Sequence, residues 1–117
     1  MSFNVAVIRG NCSSPPEVRT LASGSTLAIL QVTSRSDDGA ATSVPVVSWD
    51  PPAWVEDLDT GDEVIAVGRV RRRFYRAGAA AASKVELEAD YLAPGGDRRR
   101  VKVALRRVRE VLEGLDG

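Results

Sequence analysis

The stretch EVIAVGRVRRRFYR, Glu63 to Arg76, decides how the rest of this 117-residue chain is read. Val64, Ile65, Ala66 and Val67 form an apolar run too rich in β-branched residues for a surface helix. Gly61 and Gly68 bound it, so it reads as a strand. If the strand continues through Gly68, its period of two puts Arg69, Arg71, Arg73 and Tyr75 on one face and Val70 and Phe74 on the other. A row of guanidiniums ending in a phenol ring suits two different tasks. Guanidiniums neutralise phosphates and an aromatic face stacks on an unpaired base, which is what a sequence-tolerant single-stranded nucleic-acid groove requires. The same arginines also suit an outer strand blunted against aggregation.

Charge supports taking the row seriously. The formal net charge is zero, yet residues 69–76 hold five basic groups and residues 98–109 hold seven, with no acid in either window. Those windows carry +12, and the remaining 97 residues, with 4 basic and 16 acidic side chains, carry −12. Two cationic stripes on an acidic body make local field, not overall charge, the guide to partners.

Composition narrows the chemistry. One chain of this length with 44% hydrophobic residues supplies a single core without disulfide or metal staples. The lone Cys12 has no disulfide partner within the chain. The absence of histidine removes the commonest general base as well as the usual imidazole metal sites. Asp57, Asp59, Asp62 and Glu63 read as a solvated turn, not as paired carboxylates in a cleft. A non-enzymatic protein without metal or cofactor is expected. The N-terminus has no signal-peptide pattern and no apolar run reaches membrane-spanning length, so a soluble, cytoplasmic, nucleoid-associated protein with no membrane partner is expected.

Outward from the central stretch, the remaining elements follow in order. Phe3 to Ile8 is an apolar strand ended by Gly10 and Asn11. Ser13 to Pro16 is a loop, and Val18 to Leu21 a short extended piece. Thr26 to Arg35 alternates Ala28, Leu30 and Val32 against Gln31, Thr33 and Arg35, the pattern of a half-buried antiparallel strand. Ser36 to Ser43 is a polar loop and Val44 to Trp49 the third strand. In that strand the inward parity of Val44 and Val46 turns Trp49 outward. Asp50 then caps a short helix at about 52–59, whose apolar face is Trp54, Val55 and Leu58, with Trp54 as a core plug. After the arginine strand, residues 77–83 are small and flexible. Lys84 to Leu92 alternates Val85, Leu87, Ala89 and Tyr91 against Lys84, Glu86, Glu88 and Asp90. Pro94, Gly95 and Gly96 end the first domain, 1–94.

Five strands with one short helix between the third and fourth give an all-β fold with the connectivity of a Greek-key oligonucleotide-binding barrel. Other small barrels fit the same order. Residues 95–117 form a basic amphipathic C-terminal helix or tail. Val101, Leu105, Val108, Leu112 and Leu115 recur at spacings of four and three, and the basic residues come before Glu110, Glu113 and Asp116. This polarity opposes the helix dipole, so the helix is expected to dock on the barrel or another subunit, or to order only on meeting a polyanion.

These residues carry a family resemblance. An apolar first strand ending in Gly10, then Pro16, Glu17, Val18 and Arg19, then Ser23 and Gly24 before a long strand resembles the opening of the bacterial single-stranded DNA-binding proteins. Val46, Val47, Ser48 and Trp49 resemble that family's strand before the helix. Gly68, Arg69 and Val70 followed by arginines and Tyr75 resemble its Gly-Arg-Leu strand. The resemblance covers about residues 3–93. It implies an oligonucleotide-binding fold and a homo-oligomer, a tetramer or dimer of dimers. It also implies sequence-independent binding of single-stranded DNA in replication, recombination or repair. Carried over by position, Trp49 and Tyr75 fall on base-stacking sites, and Arg35, Arg69, Arg71 and Arg73 on the face that follows the backbone. The chain departs from the family at Ser43 and Asp38, where aromatics are usual. It also departs in its basic helix, which replaces a long tail with an acidic tip, so recruitment through such a tip is not carried over. The alternative is a barrel turned protein-interaction module, whose arginines meet an acidic partner.

Overall fold

The computed structural model describes residues 2–114, so Leu115 and Asp116, at the end of the C-terminal stripe, lie outside the described residues. The protein is mostly β-sheet with one C-terminal helix. In order it has β1 (Ala6–Cys12), β2 (Glu17–Thr20), β3 (Thr26–Arg35), β4 (Ala41–Trp49), a 3-10 turn (Ala53–Asp57), β5 (Glu63–Ala77), β6 (Ala80–Pro94) and α1 (Arg98–Gly114). The sheet runs β1-β5-β6-β4-β3-β2, and β1 also pairs with β3 through Asn11↔Thr33 and Cys12↔Val32. The pairings therefore return to the strand at which they start. β4 and β6 are parallel, and the other neighbours are antiparallel.

One core lies on the inward face, where Leu30 and Val32 of β3, Val46 of β4, Val64 and Ala66 of β5, and Leu87 and Leu92 of β6 pack with Val55 of the 3-10 turn. The second cluster lies outside the sheet. Ile65, Val67 and Ala93 point away from the core and are covered by Val101 and Ala104 of α1, with Tyr91 and Val108 beside them. The helix thus docks on the chain's own sheet. Burial of this face offsets the unfavourable charge order along the helix. Asp97 adds a cap: its carboxylate accepts the Arg100 N–H at 3.1 Å and its carbonyl accepts the Val101 N–H at 2.9 Å. Asp97→Ala is expected to lower stability by about 1 kcal/mol, read as a shift of the urea midpoint.

Several local expectations are corrected. Gly10 and Asn11 do not end β1, which continues to Cys12. A Cβ on Gly10 would sit 2.2 Å from the Thr33 carbonyl oxygen, so this glycine marks a close approach of β1 to β3. The helix expected at 52–59 is a single 3-10 turn, and Asp50 does not cap it. Instead the Asp50 N–H donates to the Thr26 carbonyl at 2.8 Å, closing the end of the β3–β4 pair. Trp54 does pack against the core. β4 begins at Ala41, three residues before the expected start.

Residues 77–83 are not a flexible link. Ala77 pairs with Ala80 across a two-residue turn, Gly78–Ala79, and Gly78 has φ 64°, the left-handed value a tight hairpin needs at its first central position. β5 and β6 therefore form a long hairpin whose tip outreaches the core, leaving Val70, Phe74 and Val85 exposed on its inner face. Near the base of this extension, Asn4 stands in for a strand. Its side-chain amide donates to the Val70 carbonyl at 2.7 Å, and its oxygen accepts the Val70 N–H at 2.9 Å.

Candidate nucleic-acid interface

Residues paired across a sheet share a face, so the register places the candidate residues directly. Arg69 pairs with Glu88, Glu88 with Val47, and Val47 with Ile29, giving one row across β5, β6, β4 and β3. The opposite face holds the core, so this row looks outward. Alternation along each strand then puts Arg71, Arg73, Tyr75, Trp49 and Arg35 on the same outward face. All six candidate residues are on one side of the sheet. They do not form one cluster: from Arg69 to Tyr75 the row spans ~20 Å at the usual strand rise. Trp49 and Arg35 lie toward opposite ends of the β3–β4 pair, since Trp49 pairs with Leu27 and Arg35 with Ala41.

The two aromatics are accessible. Trp49 is 44% exposed and Tyr75, near the hairpin tip, 45%. The indole borders a shallow groove with Asp90 and Tyr91, above the bend where β6 carries one extra residue. Val67 pairs with Tyr91 and Gly68 with Ala89, which leaves Asp90 unpaired as a bulge. The bulge exchanges faces. Leu87 and Ala89 pack into the core, whereas Tyr91, expected to point with them, turns outward under α1. There its hydroxyl donates to the Arg100 carbonyl at 3.4 Å, and the Arg107 guanidinium sits over its ring, 4.7 Å from the centroid.

The arginines are not bare cations. Arg71 pairs with Glu88 at 3.0 Å, Arg69 with Glu88 at 3.7 Å and Asp90 at 3.8 Å, and Arg73 with Glu86 at 3.9 Å. The arginine row is one half of a cross-strand ladder. Its acids stand at alternate positions of β6, and that alternation is readable. Antiparallel pairing of β5 with β6 then sets them beside the arginines. Glu86 is 4% exposed, and the Arg73 Nε is buried without a hydrogen-bond partner among the described residues. Arg69 and Arg71 keep side chains 55% and 54% exposed, and each guanidinium has five N–H donors. A phosphate can therefore share these groups with Glu88, at lower affinity than it would find on an unpaired arginine.

The two departures from aromatics have their own partners. Ser43 and Thr33 hydroxyls hydrogen-bond across β4 and β3 at 2.7 Å. Asp38 accepts from the Ser36 hydroxyl at 2.6 Å and the Ala40 N–H at 2.9 Å, and these bonds hold its carboxyl below the usual value. Burial, and then the Asp62 charge, pushes the Cys12 thiol up, so it stays protonated at neutral pH. No helix among the described residues is long and apolar enough to cross a membrane.

A comparison with known protein families finds none that the chain matches, and a comparison with curated proteins finds no similar one.

Proposed function

We propose that the sheet is the five-stranded Greek-key oligonucleotide-binding barrel with β2 added at its edge. Its outward face binds single-stranded DNA without regard to sequence, in replication, recombination or repair. The reading is carried by the exposed Trp49 indole, which stands on the same outward face as the arginine row and Tyr75. The cyclic pairing of β1, β3, β4, β6 and β5 and the resemblance of residues 3–93 to bacterial single-stranded DNA-binding proteins support it. In this reading bases stack on Trp49 and Tyr75, while Arg35, Arg69, Arg71 and Arg73 follow the backbone. Assembly into a dimer or tetramer belongs to the same proposal and is read from the mass in solution.

One observation favours a second reading. Because Glu86, Glu88 and Asp90 neutralise the arginine row, the face is electrically mixed, as at a protein–protein rim, which favours an interaction module; an acidic partner would have to compete with these carboxylates for the arginines. Titration with oligo(dT), followed by tryptophan fluorescence at several salt concentrations, separates the two. Nucleic-acid binding gives saturable quenching that disappears in Trp49→Phe and persists in Trp54→Phe. Absence of any response up to roughly tens of micromolar oligonucleotide supports the interaction module instead. Glu88→Gln removes the carboxylate shared by Arg69 and Arg71. It is expected to tighten binding several-fold and to steepen the salt slope by about one unit. An unchanged slope in that variant means that these arginines do not meet phosphate.

A further inference from the structure

We infer that the outer face of α1 is a second phosphate track, which takes up the backbone of the single strand as it leaves Trp49. The inference shares its ligand with the function proposed above but uses none of the same side chains.

The argument begins with spacing. Arg98, Lys102, Arg106 and Arg109 stand at i, i+4, i+8 and i+11, so they line one stripe of the helix, with Arg99 beside it. Val101, Ala104 and Val108 are docked on the sheet, so the stripe faces away from the surface that anchors the helix. Arg98, Arg99, Lys102 and Arg106 border one shallow groove, with Val103 on its wall.

The second point is pairing. Each of Arg69, Arg71 and Arg73 has a carboxylate within 4.0 Å, whereas none of Arg98, Arg99, Lys102, Arg106 and Arg109 forms an ion pair among the described residues. The first turn of α1 carries no acid. Like charges one turn apart, next to a helix N-terminus, work against helix formation. A polyanion lying along the stripe removes that repulsion and releases its own counterions as it does so. Among the described residues, six of the ten basic side chains without an ion pair therefore lie on the helix, while Arg69, Arg71 and Arg73 of β5 are neutralised within the fold.

The third point is continuity. Tyr91 borders the groove of Trp49 and Asp90, and it also borders the neighbouring hollow formed by Pro52, Trp54 and Arg100. The surface beside the indole thus leads through Tyr91 to Arg100 in the first turn of α1, and the stripe begins at Arg98 on the other side of that turn, so a strand reaches it by rounding the N-terminal end of the helix.

The test uses the full chain, fluorescein-labelled oligo(dT) and anisotropy at several salt concentrations, with tryptophan quenching recorded in parallel. Lys102→Gln with Arg106→Gln is expected to flatten the salt slope by about 1.4 units, two phosphates at the single-strand value, while Trp49 quenching at saturation is kept. Lys102→Arg with Arg106→Lys, which preserves charge, is expected to bind as the parent does. Arg98→Gln with Arg109→Gln repeats the test on the same stripe, and thermal melting identifies any variant that fails to fold. A parental slope and affinity in both neutralised pairs overturns the inference and leaves the outward-face reading standing. Binding that depends on α1 without Trp49 quenching sinks the outward-face reading and keeps the track. No binding of oligo(dT) by the parent overturns both.

Discussion

Gly68→Ala is expected to destabilise the protein by about 3 kcal/mol or more, with binding lost in proportion to folding. A Cβ at this position would lie 1.9 Å from the Glu88 carbonyl oxygen and 2.8 Å from its carbon. Both are backbone atoms in the paired strand, so neither can rotate out of the way. The only relief is to separate β5 from β6 where Asp90 bulges, and that point sets the face of Tyr91 and the position of Glu88. The effect should thus reach from the helix-docking cluster to the ion-pair ladder. Urea unfolding followed by tryptophan fluorescence reads it, with Gly96→Ala as a control. Gly96 has nothing within 4 Å of a built Cβ, and the change there should stay within roughly 0.5 kcal/mol. Matching midpoints for Gly68→Ala and the parent would mean that the strands do not approach as described.

The second large effect is expected at Trp49. Replacement by alanine removes a stacking platform worth ~1 to 3 kcal/mol per base, a loss of between about fivefold and about 150-fold in affinity for oligo(dT). The salt slope should not change, because no counterion-releasing charge is removed. Trp49→Phe retains an aromatic face and should recover much of the loss. Trp49 is also the cross-strand partner of Leu27, which is 5% exposed, so the melting midpoint must be measured beside the affinity. Affinity equal to the parent's in a folded Trp49→Ala protein would remove the central support for a single-strand interface.

Parts of this architecture are legible in the chain because they depend on local alternation. Ala28, Leu30 and Val32 announce the inward face of β3, Arg69 to Tyr75 hold their parity along β5, and the outward turn of Trp49 follows from Val44 and Val46. The limits of that reading are equally physical. Arg71 and Glu88 are 17 residues apart, and their pairing follows from a register set by the two-residue turn at Gly78, which alternation does not encode. The bulge alone reverses the expected direction of Tyr91. Gly10 has the composition of a terminator, yet it works as the spacer that lets two backbones cross. Asp50 has the chemistry of a helix cap but is drawn to Thr26, because β3 and β4 end together there. The heptad stripe of α1 marks the apolar side of the helix, but the choice of the chain's own sheet as its partner rests on Ile65, Val67 and Ala93 being turned outward beneath it.

The Asn4 clasp governs how this molecule meets its own kind. By occupying both hydrogen-bonding groups of Val70, one amide seals the flank of β5 where β1 runs out, so a foreign chain cannot add there as an extra ribbon. Beyond it, Arg72 and Arg76 keep the hairpin charged, while donating to Ser83 and to the Ala79 carbonyl within it. The projecting hairpin is thus closed to strand addition at its base.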